Sequence, residues 1–377
     1  MKQAHRTLIA LLWLVLLIAP HALSQRQTPP DTAEIKHFRI RSELLSAFWG
    51  RDMFVEAGVV LPPDRKADEH PPLCIDIHGF GGSHRSAWGR GKRLVEGMRT
   101  GEVPRMIYVF PNAQFSLGHH EFADSVNNGP WGRAFVEEFL PALERTFHGG
   151  GSARARFLTG HSSGGWSSFW LQITWPEVFG GTWSTAPDPV DFRDFTGINI
   201  YEDENAYEDA RGNPVMLVRR RGRFVMSIED FVRSEVARRP YGGQFASFDA
   251  VFSPRGEDGR PMPLFDRKTG KIDRFVARAW ERYDIRLVLE RKWKTLGPAL
   301  RGKLRIWIGT QDTFRLEGAV KLLAESLRKL GSDAEILLVE GRDHGSLFRP
   351  HETLWPLGMM HRIHQEMWRE HLSHRDR

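Results

Sequence analysis

Short apolar runs alternate with amphipathic stretches along most of this chain. MFVEAGVVLP (53–62), PLCIDIHG (72–79) and RMIYVFPN (105–112) are bounded by Pro, Gly and Asn, which predicts strands. The second and third are almost continuously apolar, the pattern of strands covered on both faces. Between 133 and 147 the spacing changes. Phe135, Phe139, Leu143 and Phe147 recur every fourth residue, which predicts a helix. Further strands are expected at RARFLTG (154–160) and GTWSTAP (181–187). Far downstream come LRIWIGT (304–310), a helix at EGAVKLLAESLRKLG (317–331) and a strand at AEILLVEG (334–341). Repeated strand–helix alternation implies an α/β protein, with a mostly parallel central sheet and helices on both faces.

The stretch between the strand at 181–187 and that at 304–310 is far too long for a simple crossover. It holds helix-like pieces, SIEDFVRSEVAR (227–238) and KIDRFVARAWERYDIRLVLERKW (271–293), and a Gly/Pro-rich piece, FSPRGEDGRPMPLFDRKTGK (252–271), that reads as a hairpin or loop. Residues 192–300 are therefore expected to form a lid-like insertion that controls access to a site.

Composition narrows the class. With 377 residues, 41% hydrophobic and 27% charged, the chain can bury a sizeable core and is not a disordered one. The start, MKQAHRTLIALLWLVLLIAPHALSQ, has basic Lys2 and Arg6, an apolar run from Leu8 to Ile18 and a small-residue exit at Ala22-Leu23-Ser24. That predicts a secretory signal over 1–24, with the working domain at 25–377. The apolar run is shorter than the roughly 20 residues a membrane span needs. Cys74 is the single cysteine and lies inside an apolar run, so no internal disulfide forms and a buried, inert thiol is expected. Export without disulfides points to a bacterial periplasmic or secreted setting. The formal charge of +6 is small for this length, and the leader carries two of those charges. The densest basic run, Arg219 to Arg223, reads as a solvated loop or as a patch for an acidic partner. No nucleic-acid motif and no internal repeat is present, and no membrane contact is expected once the leader is cleaved.

The candidate chemistry starts at FLTGHSSGGWSSFW (157–170), where Ser162 holds the central place of a G-x-S-x-G motif. A strand is predicted before it and a helix after it, the setting of a nucleophile held on a sharp elbow. Flanking glycines suit such an elbow, because side chains there would clash with closely approaching backbone. A serine hydroxyl needs a base, and the base an orienting acid. RIWIGTQDTF places Asp312 after a strand, and ILLVEGRDHGSLF places His344 after the last one. Both fall at the edge of the sheet where open α/β folds build their sites. Asp343 is a weaker candidate acid, and Asp188 and Asp191 in APDPVD compete with Asp312. DIHGFGGSH (76–84) follows another strand with a glycine-rich turn. Its bare backbone suits an oxyanion hole, with Phe80 N–H first, Gly81 close behind, and Ser163 N–H as partner.

HGFGG, NNGPWG before a helix, GHSSGGWSS, GTQDTF and DHG together resemble the putative esterase family of the α/β-hydrolase superfamily, with its esterase D, enterochelin esterase-like, feruloyl and acetylxylan esterase members. The resemblance covers roughly residues 35–190 and 300–350. It implies an α/β-hydrolase fold and a serine hydrolase acting on carboxylic esters, with Ser162 as nucleophile, Asp312 as acid and His344 as base. Small-molecule or glycan esters are the expected substrates. The 192–300 segment departs from the compact members. Trp131, in the DSVNNGPWG stretch, either lines the substrate pocket or packs in the core. His119 and His120 are expected to face solvent, as is the histidine-bearing face of the last helix, His361, His364, His371 and His374. No cofactor and no metal are expected. Rival readings are an acyltransferase with the same triad, a peptidase, and a catalytically silent fold that binds a ligand.

Overall fold

In the computed structural model, which describes residues 28–66, 68–238 and 243–373, the predicted strands assemble into one eight-stranded sheet. The leader expected at 1–24 and His374 lie outside the described residues. In chain order the strands are β1 (Ile35–Ser42), β2 (Met53–Val60), β3 (Leu73–Ile77), β4 (Ile107–Pro111), β5 (Arg156–His161), β6 (Gly181–Thr185), β7 (Leu304–Gly309) and β8 (Glu335–Val339). Across the sheet they run β1-β2-β4-β3-β5-β6-β7-β8. β2 is antiparallel to both β1 and β4. All other neighbours are parallel. Of these strands, β1 is the one that the hydrophobic pattern did not announce. Its exposed and half-buried positions alternate too weakly to stand out.

The helices are α1 (Glu43–Trp49), α2 (Ser86–Thr100), α3 (the continuous run Trp131–Arg133, Ala134–Phe139 and Leu140–Phe147), α4 (Ser163–Thr174), α5 (Ile228–Arg238), α6 (Gln244–Phe252), α7 (Arg274–Trp280), α8 (Ile285–Leu300), α9 (Leu316–Lys329) and α10 (Met359–Ser373). They cover both faces of the sheet. Leu73, Ile75 and Ile77 of β3, with Ile107 and Val109 of β4, share one core with Phe135, Phe139 and Leu143 of α3. Cys74, Tyr108 and Phe110 share the other core with Leu94 of α2 and Leu323 of α9. Side chains alternate across a strand, so a strand covered twice must be apolar throughout. This is why those runs are continuous.

The four-residue repeat in α3 drifts about 40° per step around an ordinary helix. The protein corrects the drift by winding Ala134–Phe139 as a π-helix, which keeps Phe135, Phe139, Leu143 and Phe147 on one buried side. Cys74 is fully buried, and burial pushes its thiol well above the ordinary range, so it is inert.

Residues 192–300 contribute α5 to α8 and a hairpin, Met216–Arg220 with Arg223–Ser227. Their aromatics, Phe192, Phe195, Phe245, Phe248, Phe252 and Trp280, are buried in the same core as Trp183 of β6 and Ile306 of β7. Arg221 and Gly222 turn the hairpin with φ of 49° and 74°. The basic run is more than a solvated loop. Arg219 bonds Glu317 of α9 at 2.6 Å, and its backbone N–H donates to Thr313 at 2.8 Å. The hairpin is thereby docked on the loop that carries Asp312.

Three histidines differ from expectation. His119 and His120 are buried. The His119 Nε2–H donates to the His78 carbonyl at 2.9 Å, and His120 stacks on Trp131 with centroids 3.9 Å apart. A polar side chain that finds such partners can be buried, whatever its loop looks like in sequence. His364 of α10 is also buried, edge-on to Tyr108 at 4.9 Å. Burial holds it neutral, with its pKa down at about 3.

Candidate active site

Ser162 sits between β5 and α4 with φ 59° and ψ −125°, a conformation that costs a non-glycine residue on the order of 1–3 kcal/mol. Its surroundings hold it there. Its N–H donates to Thr185 at 3.1 Å, and its carbonyl accepts from Trp166 at 3.0 Å and Asp188 at 3.2 Å. The glycines of the motif are explained by contact. A Cβ on Gly160 would strike the Gly164 carbonyl, and one on Gly164 would strike the Ile77 carbonyl. On Gly165 it would lie 2.8 Å from the Thr185 oxygen. The ends of β3, β5 and β6 converge on this turn too closely for side chains.

Asp312 and His344 come from the ends of β7 and β8 and meet here. His344 Nδ1 lies 2.7 Å from Asp312 Oδ2. The other oxygen of Asp312 accepts the Phe314 N–H at 2.8 Å, and Asp312 is fully buried. Burial works against the His344 cation, but the charge of Asp312 and its hydrogen bond prevail and raise the pKa above its ordinary value. Because Nδ1 faces the carboxylate, Nε2 is left for a substrate or nucleophile. The His344 ring lies against His161, centroids 4.2 Å apart, which brings it beside the elbow. Phe314 packs on it at 5.1 Å.

Of the competing acids, Asp343 caps its own turn, accepting from Ser346 N–H at 2.7 Å. Asp191 pairs with Arg193 and Arg286. Asp188 is different. The Ser162 hydroxyl donates to its Oδ1 at 3.3 Å and the Ser163 hydroxyl to its Oδ2 at 2.6 Å. Gln244 of α6 donates to the same oxygen at 3.2 Å, so the 192–300 segment reaches the site. Burial, with the nearby charge of Glu121, pushes the Asp188 carboxyl up to about 7. Among the described residues, the Ser162 hydroxyl makes its hydrogen bond to Asp188 and makes none to His344.

The glycine-rich turn lies against the elbow. A Cβ on Gly79 would fall 3.0 Å from the His161 carbonyl and 3.2 Å from Ser162 Cβ. The turn is held from below by His78. Its Nε2 accepts the Ala113 N–H at 2.9 Å, which leaves Nδ1–H to donate to the Gly79 carbonyl at 2.8 Å. Burial and the neighbouring His119 keep His78 neutral, at about 3. Phe80 and Gly81 follow, half-buried and exposed, with Gly81 at φ 77°. Ser163 opens the first turn of α4, where helix N–H groups lack intrahelical partners. Trp131 is a packing residue here. It is buried between His120 and Phe115, in the core on the α3 face.

The sequence reading missed the Asp188 bond to Ser162, the His161–His344 stack and the His78–His119 brace. His161 was the one with a visible signal, since it occupies the variable place just before the motif serine.

Residues 46–301 match the family described as Putative esterase. That range takes in Ser162 and the glycine-rich turn and ends before Asp312 and His344. No curated protein sequence matches the chain. Solved structures of similar fold include a ferulic acid esterase, at 13% identity and TM-score 0.52, covering 82% of this chain and 91% of that one. An S-formylglutathione hydrolase from Agrobacterium tumefaciens is 17% identical with TM-score 0.50, over 91% of this chain and 97% of that one. The fluorophosphonate-binding serine hydrolase FphF of Staphylococcus aureus is 13% identical with TM-score 0.50, over 89% and 98%. Since the family match spans most of the chain and the solved structures of similar fold cover nearly all of it, the chain belongs to the putative esterase family and is a hydrolase of the α/β-hydrolase fold.

Proposed function

We propose that the protein cleaves carboxylic esters through an acyl-enzyme intermediate on Ser162. The observation that carries this reading is the Asp312–His344 pair, bonded at 2.7 Å beside a serine strained onto an elbow. Ser162 exchanges its bond to Asp188 for one to His344 Nε2, and Oγ attacks the ester carbonyl as the imidazole takes its proton. Asp312 holds the tautomer and stabilises the cation that forms. The N–H groups of Ser163 and of Phe80, with Gly81 beside it, receive the oxyanion. His344 then gives its proton to the leaving alcohol and activates water to release the acid. Gln244 and its segment border the site and act as its lid. Residues 1–24 direct export to the periplasm or medium, and the mature N-terminus should be found at Gln25.

The test is intact-mass labelling with a fluorophosphonate, followed by turnover of aryl acetates, a feruloyl ester and a thioester. The wild type should gain one adduct. Ser162→Ala should gain none and lose on the order of 10⁶-fold in kcat. Undiminished labelling of the variant would place the nucleophile elsewhere.

A further inference from the structure

Away from the elbow, His37 of β1, Glu56 of β2 and His84, just before α2, converge on one point. One ligand atom from each lies within 4.8 Å of the others. His37 Nε2 is 3.0 Å from one oxygen of Glu56, and His84 Nδ1 is 3.6 Å from the other. The two imidazoles stack, centroids 5.2 Å apart, around a single carboxylate. We propose that His37, Glu56 and His84 form a zinc site.

The fold builds this convergence. β1 and β2 pair so that His37 lies opposite Gly58, two residues from Glu56 on the same strand face. Gly58 is where the chain entering α2 lands on the sheet. A Cβ there would collide with Ala87 Cβ and would stand 2.5 Å from the His84 carbonyl. The missing side chain lets His84 come down beside Glu56. Glu56 is itself braced, since Asn112 Nδ2 donates to its Oε1 at 3.0 Å and Asn112 N–H to its carbonyl at 2.9 Å. Such outer hydrogen bonds orient a ligating carboxylate.

The donor chemistry selects the metal. Two imidazoles and one carboxylate are the ligand set of an open zinc site, with the fourth position left to water. Ligand atoms around tetrahedral zinc stand roughly 3.3 Å apart, given bonds of about 2.0–2.2 Å. The distances of 3.0 Å to one Glu56 oxygen and 3.6 Å to the other are of that order, and with one ligand atom from each residue within 4.8 Å of the others a small closing movement would bring all three onto one ion. Side-chain exposures of 27% for His37 and 26% for Glu56, against 9% for His84, leave one side open for entry. His84 follows the glycine-rich turn of 79–83 directly. Zinc would therefore tie that turn to β1 and β2 from behind.

The experiment is calorimetric titration of the untagged, EDTA-stripped protein with Zn²⁺. Optical spectra of the Co²⁺-loaded protein report the geometry of the site. The expected result is one equivalent bound, with tetrahedral Co²⁺ bands. His37→Gln and Glu56→Gln should each weaken binding at least on the order of tenfold, circular dichroism showing both folded. His37 is partly exposed, so its variant serves even where Glu56→Gln misfolds. His344→Gln should bind zinc as the wild type does, which separates this site from the His344–Asp312 pair. Absence of binding, binding unchanged in His37→Gln, or binding lost in His344→Gln would overturn the proposal.

Discussion

At the scale of single residues, the site is a set of titrating groups tuned by burial. In the proposed mechanism His344 must be neutral to act as a base, and Asp312 outweighs burial and raises its pKa. The acid limb of kcat/KM should therefore lie above the ordinary histidine value of about 6.5. Asp312→Asn should lower kcat by about 10⁴-fold and move that limb to lower pH, as read from a pH–rate profile. Asp188 bears on stability. Its folded-state pKa is about 7, above the 3.8 of a free carboxyl. The folded protein holds a proton there that the unfolded chain releases. The associated stability is complete below about pH 4 and is lost as the pH rises through 7. In Asp188→Asn, urea midpoints measured from pH 4 to 8 should fall less steeply than in the wild type. An unchanged slope would mean that Asp188 does not carry this proton.

At the scale of elements, the elbow works because three strand ends and one helix start share a space that admits only backbone. Gly164 is the tightest point, abutting the Ile77 carbonyl at the end of β3. Gly164→Ala must push β3 or α4 aside. Overpacking of this kind costs roughly 1–3 kcal/mol, and here it also displaces Ser162. The expected outcome is a lowered thermal midpoint together with a loss of kcat larger than the stability loss explains. Gly81→Ala, with open space around its Cβ site, tests the backbone alone. The helix α3 shows a different lesson. Its four-residue spacing named a helix correctly, but the π-helical winding that keeps those residues aligned was set by the core they had to reach.

At the scale of the whole molecule, residues 192–300 are woven into the core of the main sheet. Trp280 touches Phe192, Phe195 and Phe252, and its indole donates to Ser253 Oγ at 2.8 Å. Truncating it should cost about 3–5 kcal/mol. Because the same core continues to β6 and β7, thermal unfolding should remain one cooperative transition shifted downward in Trp280→Ala. Two separated transitions would show that the segment folds on its own. The same continuity lets a segment far along the chain deliver Gln244 to Asp188.

The chain's own pattern determined most of the architecture. Continuous apolar runs marked strands that are covered twice, and Gly, Pro and Asn marked their ends, because these are local consequences of backbone sterics and water exclusion. The motif around Ser162 and the order of Asp312 and His344 were legible for the same reason, since each lies at a strand end that can be read locally. The tertiary structure alone decided which carboxyl serves which partner. Asp312 and Asp188 both follow strands, yet one faces His344 and the other accepts from the Ser162 hydroxyl. It alone decided that His119, His120 and His364 are buried, and that His37, Glu56 and His84 meet. Such outcomes depend on partners distant in sequence. Hydrogen bonds and burial between distant residues leave no periodic trace in the chain.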